Sequence, residues 1–343
     1  MLLMFFNPKI LTQILVQIAL SLHLCALLVT VLPNSAVADP VFFQSNTHKI
    51  TFKTSFFESD SNFTPEGGSF ERLEEGKYFN VFNLGILWEQ VTSKRTAWRI
   101  GLTGAQAKSS NGSLIKEDSD LTKVSLGYQY FLRSKPIKIK PEIFVLYPIK
   151  NIEQDTDEVL LSEGVLIVKL GLWFQKRWLS LNSYAYLGYT HRSEGRSSLA
   201  EYTFGTKKKI LGFEFGAEIL GFYSVTDDEY TNNSIQRSML TDLVNGGSRK
   251  FYSVNPDLLT SKIYIKTQVG KYFSVQGGYG FDIQGTNIGK GNTIYFDFIW
   301  SLDPLRSKVT KSRRKKVKND NLKKFNIETD EYDESLFEES KHR

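Results

Sequence analysis

Residues 293–300 read TIYFDFIW. Ile294, Phe296, Phe298 and Trp300 are apolar, and Tyr295 and Asp297 stand between them. Strict alternation of this kind is the mark of a strand with one apolar and one polar face, because successive side chains point to opposite sides. The same period-two pattern recurs upstream. Phe82, Leu84, Ile86 and Trp88 oppose Asn83, Gly85 and Glu89. Val124, Leu126, Tyr128, Tyr130 and Leu132 oppose Lys123, Ser125, Gly127 and Gln129. Leu166 to Phe174 and Leu211 to Ile219 repeat it.

About twelve segments follow this rule: 47–57, 78–91, 96–107, 121–133, 136–148, 163–175, 178–192, 198–206, 209–222, 259–270, 272–284 and 292–301. Most have the roughly 9–11 residues that carry a tilted strand across a bilayer. Short turns are expected at Ser93-Lys94-Arg95, Ser134-Lys135, Lys176-Arg177, Lys207-Lys208 and Gly270-Lys271. They alternate with longer connections at 58–77, 108–120, 149–162, 193–197, 223–258 and 285–291. The expected fold is an all-β, antiparallel, up-and-down transmembrane β-barrel. A soluble β-sandwich or lipocalin-like barrel is the alternative, since those folds also bury one face of each strand.

Composition agrees with strands. Of 343 residues, 25 are Phe, 16 Tyr and 25 Gly, against 9 Pro. Mean hydropathy is −0.26, which a membrane barrel tolerates because only alternate residues meet lipid.

The ends are separate units. Lys9, an apolar run from Ile10 to Leu32 and the small residues Ala36-Val37-Ala38 make residues 1–38 a signal peptide, with an uncleaved anchor as the alternative. Cys25, the single cysteine, lies in that run, so the exported chain has no thiol chemistry. After the barrel at 39–302, residues 303–343 carry a basic block around Arg313-Arg314-Lys315-Lys316 and an acidic one around Glu328–Glu339. Such blocks are expected to be disordered. In the periplasm the basic one is a candidate tether for cell-wall polymer, and nucleic acid is not an expected partner.

Strand parity turns a set of charges inward: Lys49, Lys53, Arg99, Lys123, Lys169, Lys262, Lys266, Glu214, Glu218 and Asp297. Lys138, Lys140, Glu89, Glu142, Glu163, Glu201 and Asp282 share that face, so the two signs nearly balance. Glu214 and Glu218 are expected opposite Lys262 and Lys266, and Lys49 and Lys53 opposite Asp297 across the barrel closure. Tyr184, Tyr186, Tyr264 and Tyr295 also point inward, either as a solute-binding slide or as filling. These faces suit a narrow channel for small polar or charged solutes, or a packed polar core.

Residues 39–302 resemble the bacterial outer-membrane β-barrel class, on the alternation, the short and long connections and the aromatic strand TIYFDFIW. That resemblance implies an outer membrane, contact with its lipid and lipopolysaccharide, periplasmic termini and recognition of the last strand by the assembly machinery. A local stretch, GYTHRSEGRS at 188–197, resembles the H-x-S-x-G-R segment of outer-membrane phospholipase A, also a twelve-stranded barrel. By that resemblance His191 would be the base, Ser193 the nucleophile, and Arg196 would lie near a calcium site, calcium being the only cofactor expected and only on this reading. Lipid A deacylases use a similar pair. This chain departs from the phospholipase pattern: Glu194 stands where an asparagine follows the serine, and the orienting asparagine's place falls near Gly205. The plain alternative is a polar strand end whose Arg192 and Arg196 meet lipopolysaccharide phosphates. A third function is a structural or adhesive surface barrel working through 223–258.

Overall fold

A computed structural model describes residues 47–302, apart from 94, 133–136, 154–155 and 179–180. The signal peptide, its cleavage site and the charged tail at 303–343 lie outside the described residues, as does the turn at Ser134-Lys135.

The described residues form thirteen strands and one helix: β1 (His48–Phe63), β2 (Phe70–Arg72), β3 (Lys77–Val91), β4 (Thr96–Asn111), β5 (Ile115–Tyr130), β6 (Lys138–Pro148), β7 (Ile167–Trp178), β8 (Leu181–Arg192), β9 (Leu199–Ile210), β10 (Phe213–Ser224), α1 (Ser234–Val244), β11 (Asp257–Val269), β12 (Phe273–Thr286) and β13 (Gly289–Leu302). Each wall strand pairs antiparallel with its chain neighbours. β13 also pairs with β1, from His48 opposite Leu302 to Asn62 opposite Gly289, and closes the barrel. Twelve strands form the wall, and β2 is a short addition on β1. Closure leaves no open edge of backbone donors, which is what lets a sheet sit in lipid.

The outward faces are apolar and uncovered. Leu84, Ile86, Ile100, Leu102, Leu126 and Leu170 each expose 40% or more of their surface. A soluble sandwich would bury this face. At the end of the barrel that carries His48 and Leu302 an aromatic rim stands on it: His48 stacks on Trp88 and Phe273 on Trp300, and Trp98 lies tilted against Tyr128. Rings with one wet edge favour that interfacial level.

Several connections differ from the sequence expectation. The β9–β10 turn is Leu211-Gly212, not Lys207-Lys208. Both residues have positive φ, +49° and +90°, as a two-residue hairpin turn with the strands' own twist demands. Lys207 stays in the strand and ion-pairs inside the barrel. Likewise β7 runs through Lys176-Arg177 to Trp178. The expected long loops at 108–120 and 285–291 shrink to 112–114 and 287–288, because the strands continue beyond the membrane-spanning length. β1, β4 and β5 have 16 residues and β3 has 15, whereas β6 to β10 have 11 or 12. At about 3.3 Å per residue the wall is therefore roughly 13 Å taller on one side, before tilt.

One seam is short. β5 and β6 pair as a regular ladder from Lys123 opposite Pro148 to Gln129 opposite Glu142, with one bond above it, Ile149 N to Thr122 O at 2.9 Å. Pro141, the next residue, has no N–H to donate, so the ladder with β5 loses a bond there and resumes at Leu132 N to Ile139 O, 3.0 Å.

Two connections at the end opposite His48 and Leu302 fold over the lumen. Val159 and Leu161, from 149–166, and Phe251, from 225–256, pack on Phe57, Phe79, Val81, Ala105 and Ala107, the inward residues of β1, β3 and β4. Leu160, Leu240, Val244 and Tyr252 form an adjoining cluster with Ile152. Helix α1 lies within the stretch 223–258, which carries no helical signal in the sequence reading. The cap is also pinned by polar bonds. Ser109 Oγ donates to Val244 O at 2.5 Å, Leu160 N to Asn245 Oδ1 at 3.0 Å, and Asn62 Nδ2 to Gly247 O at 2.7 Å. Lys150 meets Asp118 at 2.8 Å, and Lys116 pairs with Asp157.

Candidate functional site

The inner wall is built by register. Glu214 lies opposite Lys266 and Glu218 opposite Lys262 on β10 and β11. Lys53 lies opposite Asp297 across the closure. Lys49 does not face Asp297. It lies opposite Ser301 on that side, and its Nζ reaches Glu89 on β3 at 2.9 Å. Glu89 in turn accepts from Arg99 Nε at 2.7 Å, and Arg99 Nη1 lies 3.5 Å from Glu142. Gln129 Nε2 donates to that same Glu142 carboxylate at 2.5 Å. A chain of alternating charge thus runs across five neighbouring strands, β1 and β3 to β6.

A second group lies on the opposite arc. Lys169 Nζ meets Glu201 at 2.6 Å, and Thr190 Oγ1 donates to the same oxygen at 2.6 Å. Lys207 lies 3.3 Å from Glu214. Lys262 sits 3.8 Å from Glu218 and 3.8 Å above the Tyr295 ring. Lys123, Lys138 and Lys140 also face inward, the last over Trp173 at 5.8 Å. Asp282 faces inward with them and accepts from Thr260 Oγ1 at 2.7 Å. Glu163 falls in the cap connection before β7, not on a strand. Opposed charges across a ladder each contribute a fraction of a kcal/mol in water, and more where water is thinned.

The four inward tyrosines lie against glycines. A methyl group at Gly171 or Gly188 would overlap the Tyr186 ring, one at Gly205 the Tyr184 ring, one at Gly216 the Tyr264 ring, and one at Gly278 the Tyr295 ring. Each ring lies flat on the wall because its neighbouring strand has no side chain there, an aromatic covering of a strand glycine. Tyr184 donates to Glu218 and lies 3.3 Å from the Tyr264 hydroxyl.

Among the described residues His191 and Ser193 each bond to other partners. His191 points outward and opposes Val168, and its Nδ1 lies 3.4 Å from Ser198 Oγ. Ser193 caps the β7–β8 junction: its Oγ accepts from Leu166 N at 3.0 Å, and its own N donates to Leu166 O at 2.9 Å. The serine hydroxyl is thereby held by backbone. Arg196, expected near a calcium site or at lipid phosphates, is 6% exposed, with its guanidinium 4.2 Å from the Tyr252 ring in the cap. Burial and the Arg237 charge push its pKa down to about 10, against Glu163, Tyr252 and Asp228. Arg192, likewise expected at lipopolysaccharide, is 3% exposed and donates to Ser197 O at 2.7 Å and Ser197 Oγ at 2.6 Å. Both side chains turn inward because loop carbonyls, hydroxyls and rings satisfy them there, as buried charge requires.

Sequence reasoning missed two groups that the cap assembles, and one, Lys207, on the wall. Arg237 on α1 is 2% exposed, ion-pairs with Asp228 at 2.6 Å, and is flanked by the Tyr230 and Tyr252 rings at 4.3 and 4.9 Å. Lys250 sets its Nζ 3.8 Å above the Phe57 ring. Burial pushes the Lys250 amine down, against Asp282 and Glu163. Lys207 was legible in principle, since its parity matches Gly205 and Thr203 once the turn is moved to Leu211-Gly212.

Comparison with known proteins gives the fold. No family model matches the chain, and no curated protein does. Among solved structures, an outer membrane channel from Pseudomonas putida F1 superposes with a TM-score of 0.60 at 10% identity, covering 78% of this chain and 100% of that one. The KdgM porin in complex with oligogalacturonate gives 0.44 at 6% identity, over 74% and 99%. The NanC porin gives 0.44 at 7%, over 74% and 100%. At 10% identity the likeness to the first of these is one of fold alone, a closed antiparallel β-barrel.

Proposed function

We propose that this barrel is an outer-membrane channel that passes small polar or charged solutes through a narrow, charge-lined lumen. The observation that carries the reading is the contrast between the two faces of one wall. Outside, the strands present bare aliphatic surface. Inside, five neighbouring strands hold Lys49, Glu89, Arg99, Gln129 and Glu142 in one connected polar line. Ordered fixed charge of both signs offers a hydrated solute replacement partners along its path. The likeness to a solved outer membrane channel supports the same reading.

An even number of wall strands leaves His48 and Leu302 at one end. We place that end, with its short turns, in the periplasm, as barrels of this class have it. The outer leaflet, with its lipopolysaccharide, then surrounds the taller end, and β13 is the strand offered to the assembly machinery. The cap closes the outer mouth in the described conformation, so passage requires 149–166 and 225–256 to move. Single-channel recording of the purified chain in planar bilayers tests this. Small, frequently interrupted conductance steps are expected, and a silent bilayer across a wide range of salt would sink the reading.

A further inference from the structure

The cap holds a cleft of about 270 Å³ between α1, the segment 249–255, Pro65 and the β12–β13 turn at Thr286 and Asn287. Its size is at the small end of ligand sites. Arg237 and Arg249 line it, and no Asp or Glu does. Four hydroxyl residues, Thr231, Ser234, Ser238 and Thr241, form one side.

The two arginines differ in how their charge is met. Arg237 is neutralised by Asp228, yet its Nε is buried with no hydrogen-bond partner among the described residues. A buried donor left unpaired costs about 1–3 kcal/mol. Arg249 has no carboxylate partner among the described residues: its Nη1 donates to the Asn287 amide oxygen at 2.9 Å. A third positive source is the start of α1. Asn233 makes no side-chain capping bond there, and the first turn holds no acidic residue. The helix dipole therefore places uncompensated partial positive charge beside Ser234, on the cleft wall.

We propose that this cleft binds a small hydroxylated organic anion, such as a sugar acid. Arg249 and the start of α1 take the anionic group, Arg237 supplies the positive floor, and the threonine and serine hydroxyls meet the ligand's own. A charged group on Arg makes shorter, stronger hydrogen bonds than a neutral one, so the site discriminates by charge first. The site is formed by the cap with Pro65, Thr286 and Asn287 beside it, so it stands or falls separately from conduction through the lumen.

The test is isothermal titration of the full chain, folded in zwitterionic detergent at low salt, with three soluble probes: D-gluconate, inorganic phosphate and uncharged sorbitol. Saturable gluconate binding, weaker phosphate binding and none for sorbitol are expected. Arg249→Gln should weaken gluconate at least tenfold while leaving heat-modifiable migration on a gel unchanged. That variant keeps the Arg237–Asp228 pair, so the cap remains built. Competition by lipopolysaccharide vesicles would support the site and give a lipid headgroup as its natural anion. Vesicles without effect would support it and give a free solute. Sorbitol binding as well as gluconate, no gluconate binding at millimolar concentration, or an Arg249→Gln variant that binds undiminished would each overturn the proposal.

Discussion

At the scale of single residues, the lumen depends on what is missing as much as on what is present. Gly216 has no side chain where the Tyr264 ring lies, so Gly216→Ala forces a methyl group into that ring. Overpacking of this kind costs about 1–3 kcal/mol. The variant should unfold at lower urea concentration in detergent, whereas Gly68→Ala, with open space around it, should be limited to the strain of its positive φ. Charge works in the same local way. Glu89 stands between Lys49 and Arg99 and is their shared acceptor. Glu89→Gln leaves two cations facing one another and shifts the lumen toward anions. A unit charge ~8 Å from a passing ion is worth ~0.5 kcal/mol in water, about a twofold change in permeability ratio. The reversal potential in a salt gradient reads that shift directly, and a shift toward cations would contradict the assignment of Glu89 to the lumen.

At the scale of elements, strands and cap obey different rules, and that decides what the sequence reveals. Each wall strand meets lipid on one face and the lumen on the other, so its pattern has period two and can be read without any partner. The Glu214–Lys266 and Glu218–Lys262 oppositions were legible for that reason: parity puts all four on one face, and β10 and β11 are neighbouring strands. The cap has no such period. Val159, Leu160 and Leu161 are consecutive, and two of them pack on the wall while the middle one packs on α1 and Tyr252. Helix α1 exposes Ile235 and Met239 and buries Arg237, reversing the usual expectation for each residue type. Arg237 finds Asp228 through a loop whose path nothing in the local sequence dictates. Burial contributes roughly 1.5–3 kcal/mol for each well-buried large side chain, so the cap holds closed until something displaces it. Replacing residues 230–247 with a short Gly/Ser linker should raise single-channel conductance severalfold and shorten closures. Unchanged traces would mean that the cap does not obstruct the path.

At the scale of the whole molecule, the barrel is not equally closed all round. The β1–β13 seam that joins the chain ends is paired over nearly the full strand length. The β5–β6 seam is a regular ladder only between Lys123 and Gln129 on β5, interrupted at Pro141 before the bond from Leu132 N to Ile139 O. Backbone amides of β5 and β6 should therefore exchange with deuterium faster than those of β1 and β13, a contrast that exchange mass spectrometry in detergent resolves. Uniform protection around the ring would show that lipid or side-chain packing offsets the shorter ladder.

The unequal wall has a further consequence. With β1 to β5 standing a dozen ångströms higher than β6 to β10, the outer opening is not a level ring but a slanted lip. On the orientation proposed above, a solute coming from the cell exterior would meet a low side and a high side of this opening. The low side would be the nearer approach, with the high strands standing behind it. The opening so acquires a compass direction in the membrane plane, and crowding by adjacent barrels on one flank would hinder entry while crowding on the other would not.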